Sequence, residues 1–112
     1  MLKRRKNLSP EAPEFCALSN CMAVISGAWS PNVIWHLRGG PRRFSELKQD
    51  IPPISSKILS ARLKELGERG VLLRRVCDTS PPSVEYSLTE LGHELVVALQ
   101  AIVEVGHKLK SR

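Results

Sequence analysis

The chain has no apolar run long enough to cross a bilayer. Its longest uncharged stretch, residues 15–37, is interrupted by serine, asparagine, glycine and proline, whereas a spanning helix needs about 20 mainly apolar residues. The basic cluster Lys3-Arg4-Arg5-Lys6 is not followed by the apolar segment of a signal peptide. Neither membrane insertion nor export is expected, which leaves the cytoplasm. The machinery of an enzyme is missing too, with no GxSxG elbow, no P-loop and no GxGxxG. His36, His93 and His107 are widely spaced, and His93-Glu94 has no second histidine four residues on. No enzyme, metal or cofactor is therefore expected. The three cysteines, Cys16, Cys21 and Cys77, are odd in number and lack CxxC spacing. A cytosolic chain keeps them reduced, and Cys21 and Cys77 are expected to serve as small buried hydrophobes.

What is present is an ordinary globular composition. The chain has 112 residues, 42% hydrophobic and 25% charged, enough for one domain with one core. That domain is placed at residues 15–112, behind a flexible basic arm at 1–14. The net charge of +6 is unevenly spread. Residues 1–6 carry +4, residues 7–37 carry −2, residues 38–77 carry +6 and residues 78–112 carry −2. A localised basic block points to a polyanion such as nucleic acid. A solvated, salt-bridged helix face would give the same count, so charge alone leaves both readings open.

Periodicity supplies the elements. Leu18, Met22 and Ile25 recur at helical spacing and stop at Gly27. Ser30-Pro31 reads as an N-cap followed by proline at the first helical position, opening a helix with Val33, Ile34 and Leu37 inward. A short helix over about 44–50 turns Phe44 and Leu47 inward, and Pro52-Pro53 forces an extended link. Ser55 then caps a helix over about 56–69, whose stripe is Ile58, Leu59, Leu63 and Leu66, with Gly70 placed for a left-handed C′ residue. The period next changes to two. Residues 71–77 and 84–88 form a hairpin around a proline-stiffened tip at 78–83. Thr89 caps a last helix, 89–109, with Leu91, Leu95, Leu99, Ile102 and Leu109 along one face. That stripe is wider than so small a domain requires, so the helix is expected to meet another chain.

Two short helices joined by a proline turn and followed by a hairpin make a winged helix-turn-helix, mainly α with a two-stranded β wing. In that arrangement the second helix enters the major groove and the hairpin follows the backbone or minor groove. The outward residues suit the task. Ser55 and Ser56 sit at the helix start, and Ser60 and Ala61 allow close approach to base edges. Lys57 and Lys64 reach bases or phosphates. Arg42 and Arg43 precede the first helix of the pair, where phosphate contact is natural. Arg74 and Arg75 point to opposite faces of the wing, so one of them is expected to reach DNA, and Ser83 lies at its tip.

Three stretches carry a family resemblance: Arg42-Arg43-Phe44-Ser45-Glu46-Leu47, the helix at 54–66, and Pro81-Pro82-Ser83-Val84-Glu85-Tyr86-Ser87-Leu88-Thr89-Glu90-Leu91-Gly92. Over residues 16–106 the chain resembles the HxlR-type bacterial transcriptional regulators, which have a MarR-like fold. The resemblance implies a dimer built by the N- and C-terminal helices. It also implies that a cysteine at position 16 serves some members as a redox or electrophile sensor. Three positions depart from the family pattern. Ser26-Gly27-Ala28-Trp29 stands where Gly-Gly-Lys-Trp is usual, Ser83 where arginine is usual, and Ala17 where proline often follows the cysteine.

The expected function is a homodimeric, sequence-specific regulator on a pseudo-palindromic double-stranded operator in the nucleoid, with Cys16 as the candidate redox residue. Cys16 precedes a helix, where the dipole favours thiolate. Two alternatives are a small aromatic effector held near Trp29 and Trp35, and a winged module that binds protein instead of DNA.

Overall fold

Spacing of aliphatic residues decides which helix faces meet. The computed structural model describes residues 17–110, so the basic arm at 1–14 and Cys16 lie outside the described residues. The order is α1 (Ala17–Ile25), α2 (Ser30–Leu37), β1 (Arg42–Arg43), α3 (Phe44–Asp50), α4 (Ser56–Glu68), β2 (Leu72–Cys77), β3 (Ser83–Leu88) and α5 (Glu90–Lys110). Val33, Ile34 and Leu37 of α2 pack with Leu47 of α3 and with Leu59, Leu63 and Leu66 of α4, all within 2% of full burial. Ile51 and Ile54 close the α3–α4 link over this core. Ile58, expected inward, is only half-buried at its edge.

The caps follow local chemistry, with one correction. Ser55 accepts a hydrogen bond from the Ile58 N–H at 3.1 Å, as an N-cap serine should. Gly70 adopts φ +76° after α4. Thr89 joins α5 to the sheet. Its Oγ1 accepts from the Gly92 N–H at 3.1 Å and donates to the Gly70 carbonyl at 2.6 Å. Ser30, in contrast, does not cap α2. Trp29 takes the N-cap place at φ 71° with no side-chain cap bond, a conformation uncommon for a residue with a Cβ. The reason is a turn one residue earlier, closed by the Ser30 N–H to the Gly27 carbonyl at 3.0 Å. That turn draws Ser30 into the helix, where it is fully buried.

The wing also differs from expectation. The sheet has three strands in the order β1-β3-β2, because Arg42-Arg43 pairs antiparallel with β3. Arg42 and Arg74 both pair with Tyr86, and Arg43 and Arg75 both pair with Glu85. Directly paired residues share a face, so the arginines fall into two rows on opposite sides of the sheet.

Two further expectations change. Of the α5 stripe, Leu95 and Leu99 enter the core at 9% and 5% exposure, while Leu91, Ile102 and Leu109 are 47%, 55% and 67% exposed. The helix packs on the domain from Gly92 to Leu99, about two turns, and every residue from 100 to 109 is exposed. Cys21 is not a buried hydrophobe either: it is exposed on α1, a helix with no buried residue, and Cys77 is half-buried at the end of β2. No helix among the described residues is long and apolar enough to cross a membrane.

Candidate nucleic-acid interface

The interface is built outward from α4. With Leu59, Leu63 and Leu66 fixed in the core, helical geometry turns Ser56, Lys57, Ser60, Ala61 and Lys64 to the surface, and all five are exposed. Ser55 spends its oxygen lone pair on the Ile58 N–H and fixes where the helix starts. The exposed face is thus small or cationic along its whole length. It interrupts no ion pair, since neither lysine forms one among the described residues.

The sheet register separates the two wing arginines. Arg74 shares its face with Tyr86 and joins Ser60 and Lys64 of α4 around one open cleft of about 580 Å³. Arg75 lies on the other face, its Nη2 3.4 Å from the Glu85 carboxylate. The Arg75 side chain is largely exposed, so the pair is weak, and it reaches across to the neighbouring strand β3. The structure brings Ser60, Lys64 and Arg74 together and sets Arg75 apart.

The remaining candidates occupy the margins. Arg42 is half-buried, with Nε 4.0 Å from Asp50, and Arg43 is exposed. The Arg43 backbone N–H donates to the Glu46 carboxylate at 2.8 Å, which starts α3 and leaves the guanidinium at the surface. Ser83 is the first residue of β3, its Oγ 3.3 Å from Thr79 Oγ1 across the wing tip.

Sequence reading missed one α4 residue with a clear structural place. Arg62 turns inward, its Nη1 2.8 Å from Glu65, and its Nε is buried with no partner among the described residues. It packs against the α1–α2 turn so closely that a Cβ at Gly27 would stand 2.9 Å from its Nη1 and 2.8 Å from Ser30 Oγ. A side chain there would force the Arg62 guanidinium and the Ser30 hydroxyl to shift. The available signal was spacing: Arg62 lies four residues from both Ile58 and Leu66, on the border of the apolar stripe.

A second, smaller cavity of about 220 Å³ lies between α2 and α5, lined by Trp35, His36, Leu99 and Ile102 among others. Trp29 is not one of its walls, which corrects the expected two-tryptophan pocket. Arg38 stacks over Trp35 at 4.1 Å from the ring centroid.

A helix pair whose second member exposes a small, cationic face beside a β wing defines a winged helix-turn-helix protein. The chain belongs to the HxlR-like helix-turn-helix family, whose profile matches residues 24–112. It is similar to the HTH-type transcriptional regulator YkvN of Bacillus subtilis, with 42% identity over 91 residues, 81% of this chain and 77% of that protein. YtcD of the same organism is 40% identical over 106 residues, 95% of this chain and 78% of that one. A crystal structure of a ytcD regulator superposes with a TM-score of 0.83 over 88% of this chain and all of that chain. The quinone-bound structure of B. subtilis YodB, 32% identical, superposes at 0.72 over 84% of this chain and 99% of that chain.

Proposed function

We propose that this transcriptional regulator acts as a homodimer on a pseudo-palindromic operator in the nucleoid, reading it with α4. The observation that carries the reading is the exposed face Ser56, Lys57, Ser60, Ala61 and Lys64 on a helix whose other face is fully buried. Small side chains let the helix approach base edges and the lysines neutralise phosphates. Arg42, Arg43 and Arg74 add cations on the flanks, with Ser55 as the cap and Ser83 and Arg75 towards the wing's outer side. The partner subunit covers the apolar surface that α1 and the end of α5 leave exposed, including Leu18, Met22, Ile102, Val105 and Leu109. Two-fold symmetry then sets half-sites about 10 bp apart or a multiple of that. The test is a mobility shift with the chain's own upstream DNA at several salt concentrations. Saturable, sequence-dependent retardation supports the reading, and indifference to DNA supports a protein-binding module instead.

The signal we propose is oxidant or electrophile, entering at Cys16. A diamide-treated structure and a quinone-bound structure exist for YodB. Oxidation joins two Cys16 thiols across the dimer, with diamide taking up the two hydrogens released. Cys21 is five residues further on, and five residues of helix would rise roughly 7.5 Å, which disfavours that pairing and leaves Cys77 as the intrachain alternative. A Cys16→Ser variant should keep operator binding but lose its response to diamide. Equal responses of variant and wild type would move the signal elsewhere. The cavity at Trp35 favours a second reading, a small aromatic effector, for which quenching of Trp35 fluorescence is the check.

A further inference from the structure

Two unfavourable features meet where the α1–α2 turn touches α4. Trp29 holds a left-handed backbone at φ 71°, a strained place for a residue with a Cβ. Beside it, Ser30 Oγ and Arg62 Nε are buried with no partner among the described residues, and a buried polar atom left unpaired lowers stability. A methionine at position 62 would cover the same border of the apolar stripe without the orphaned donor. The arginine instead abuts the turn, where a Cβ at Gly27 would stand 2.9 Å from its Nη1. Within α4 the same Nη1 lies 2.8 Å from Glu65, which also faces Arg69 Nε at 3.8 Å. At about 100° per residue, Arg62 stands across the helix axis from Ser60 and Lys64, two positions away on either side. Helix α1 buries no residue and rests on the core through Val24 and Ile25 at its end.

We propose that Arg62 is a positioning residue, a strut between the α1–α2 turn and α4 that sets the angle of the helix face carrying Lys57 and Lys64. Because the Glu65 pair lies within α4, the guanidinium travels with that helix. Because it abuts Gly27, it travels with the turn as well. Displacement of one is therefore passed to the other, since close-packed groups transmit strain instead of absorbing it. Helix α1 carries Leu18 and Met22 on the surface that the proposed partner subunit covers, so the arrangement of the dimer reaches the lysines through Arg62. The consequence for DNA rests on the proposed α4 reading, whereas the mechanical link does not.

The test begins without DNA, by comparing backbone amide shifts of Gly27→Ala with wild type. Displaced amides are expected at Ser56, Lys57, Ser60 and Lys64, on the far side of α4 from the turn. The same substitution in an Arg62→Met background should leave those four where Arg62→Met alone puts them. Shifts confined to residues 26–31 and 61–66, or far-side shifts that persist without Arg62, overturn the proposal. Operator affinity is then measured on variants shown to be folded and dimeric by circular dichroism and sedimentation. Arg62→Met removes the buried unpaired donor and is expected to fold, so it carries this arm if Gly27→Ala does not fold. It should bind at least fivefold more weakly, with the salt slope of wild type. Gly27→Ala/Arg62→Met should regain stability without regaining affinity. Affinity that returns with stability would reduce Arg62 to packing, and a slope shallower by about 0.9 would place it on a phosphate; either result overturns the proposal. Failure of wild type itself to bind upstream DNA would refute the α4 reading, and the amide shifts alone would then judge the strut.

Discussion

The surfaces of α4 and α5 pose opposite problems to solvent. Both helices bury a leucine face in the same core, Leu59, Leu63 and Leu66 from one and Leu95 and Leu99 from the other. The exposed side of α4 is serine, alanine and lysine, which water or a polyanion satisfies. The exposed part of α5 holds Val97, Ile102, Val105 and Leu109, between 54% and 69% exposed, which water does not satisfy. An amphipathic helix can thus finish its job within the domain and offer a polar face for recognition. It can also outrun the domain and require a second chain. The difference lies in where the core ends: beyond Leu99 no residue of α5 up to 109 is even half-buried.

That comparison can be broken first at the shared core. Leu59→Ala, at a fully buried site, should cost about 2–5 kcal/mol in denaturant unfolding, because the cavity adds to the lost transfer energy. Gly27→Ala should cost on the order of 1–3 kcal/mol, since the new Cβ pushes on Arg62 and Ser30. Pairing it with Arg62→Met should recover part of that loss, and simple additivity would remove Arg62 as the cause. Thr89→Ala should cost roughly 1 kcal/mol by uncapping α5. Ile102→Asp sharpens the contrast differently. Sedimentation should fall towards the 12.5 kDa chain mass with thermal stability reported at fixed protein concentration, because a dimer's melting depends on it. Lys57→Ala should change stability by less than about 0.5 kcal/mol and leave the mass unaltered.

Much of this was legible in the sequence because periods and caps agreed. The stripe at Leu59, Leu63 and Leu66, the Ser55 and Thr89 caps, Gly70 and the hairpin all fall where their spacing places them. The winged architecture and the family were legible with them. Errors arose where tertiary context overrides a local rule. Ser30-Pro31 has the form of a cap, yet the turn at Gly27 and the left-handed Trp29 shift the helix start by one residue. A two-residue strand such as β1 has no period to detect, so its pairing with β3 was invisible. Helical spacing in α1 correctly implied a helix and said nothing about whether anything covers Cys21. The two faces of the wing were foreseen. Which arginine joins α4 was decided only by the register, which puts Arg74 with Tyr86.

The central claim is that the polar face of α4 meets DNA phosphates. The salt dependence of operator affinity tests it most directly, comparing wild type with the Lys57→Ala/Lys64→Ala double variant. Each lost phosphate contact lowers the slope of log affinity against log salt by about 0.9. The account predicts a slope shallower by nearly two, with sedimentation unchanged. An unchanged slope in a folded, dimeric variant would contradict it.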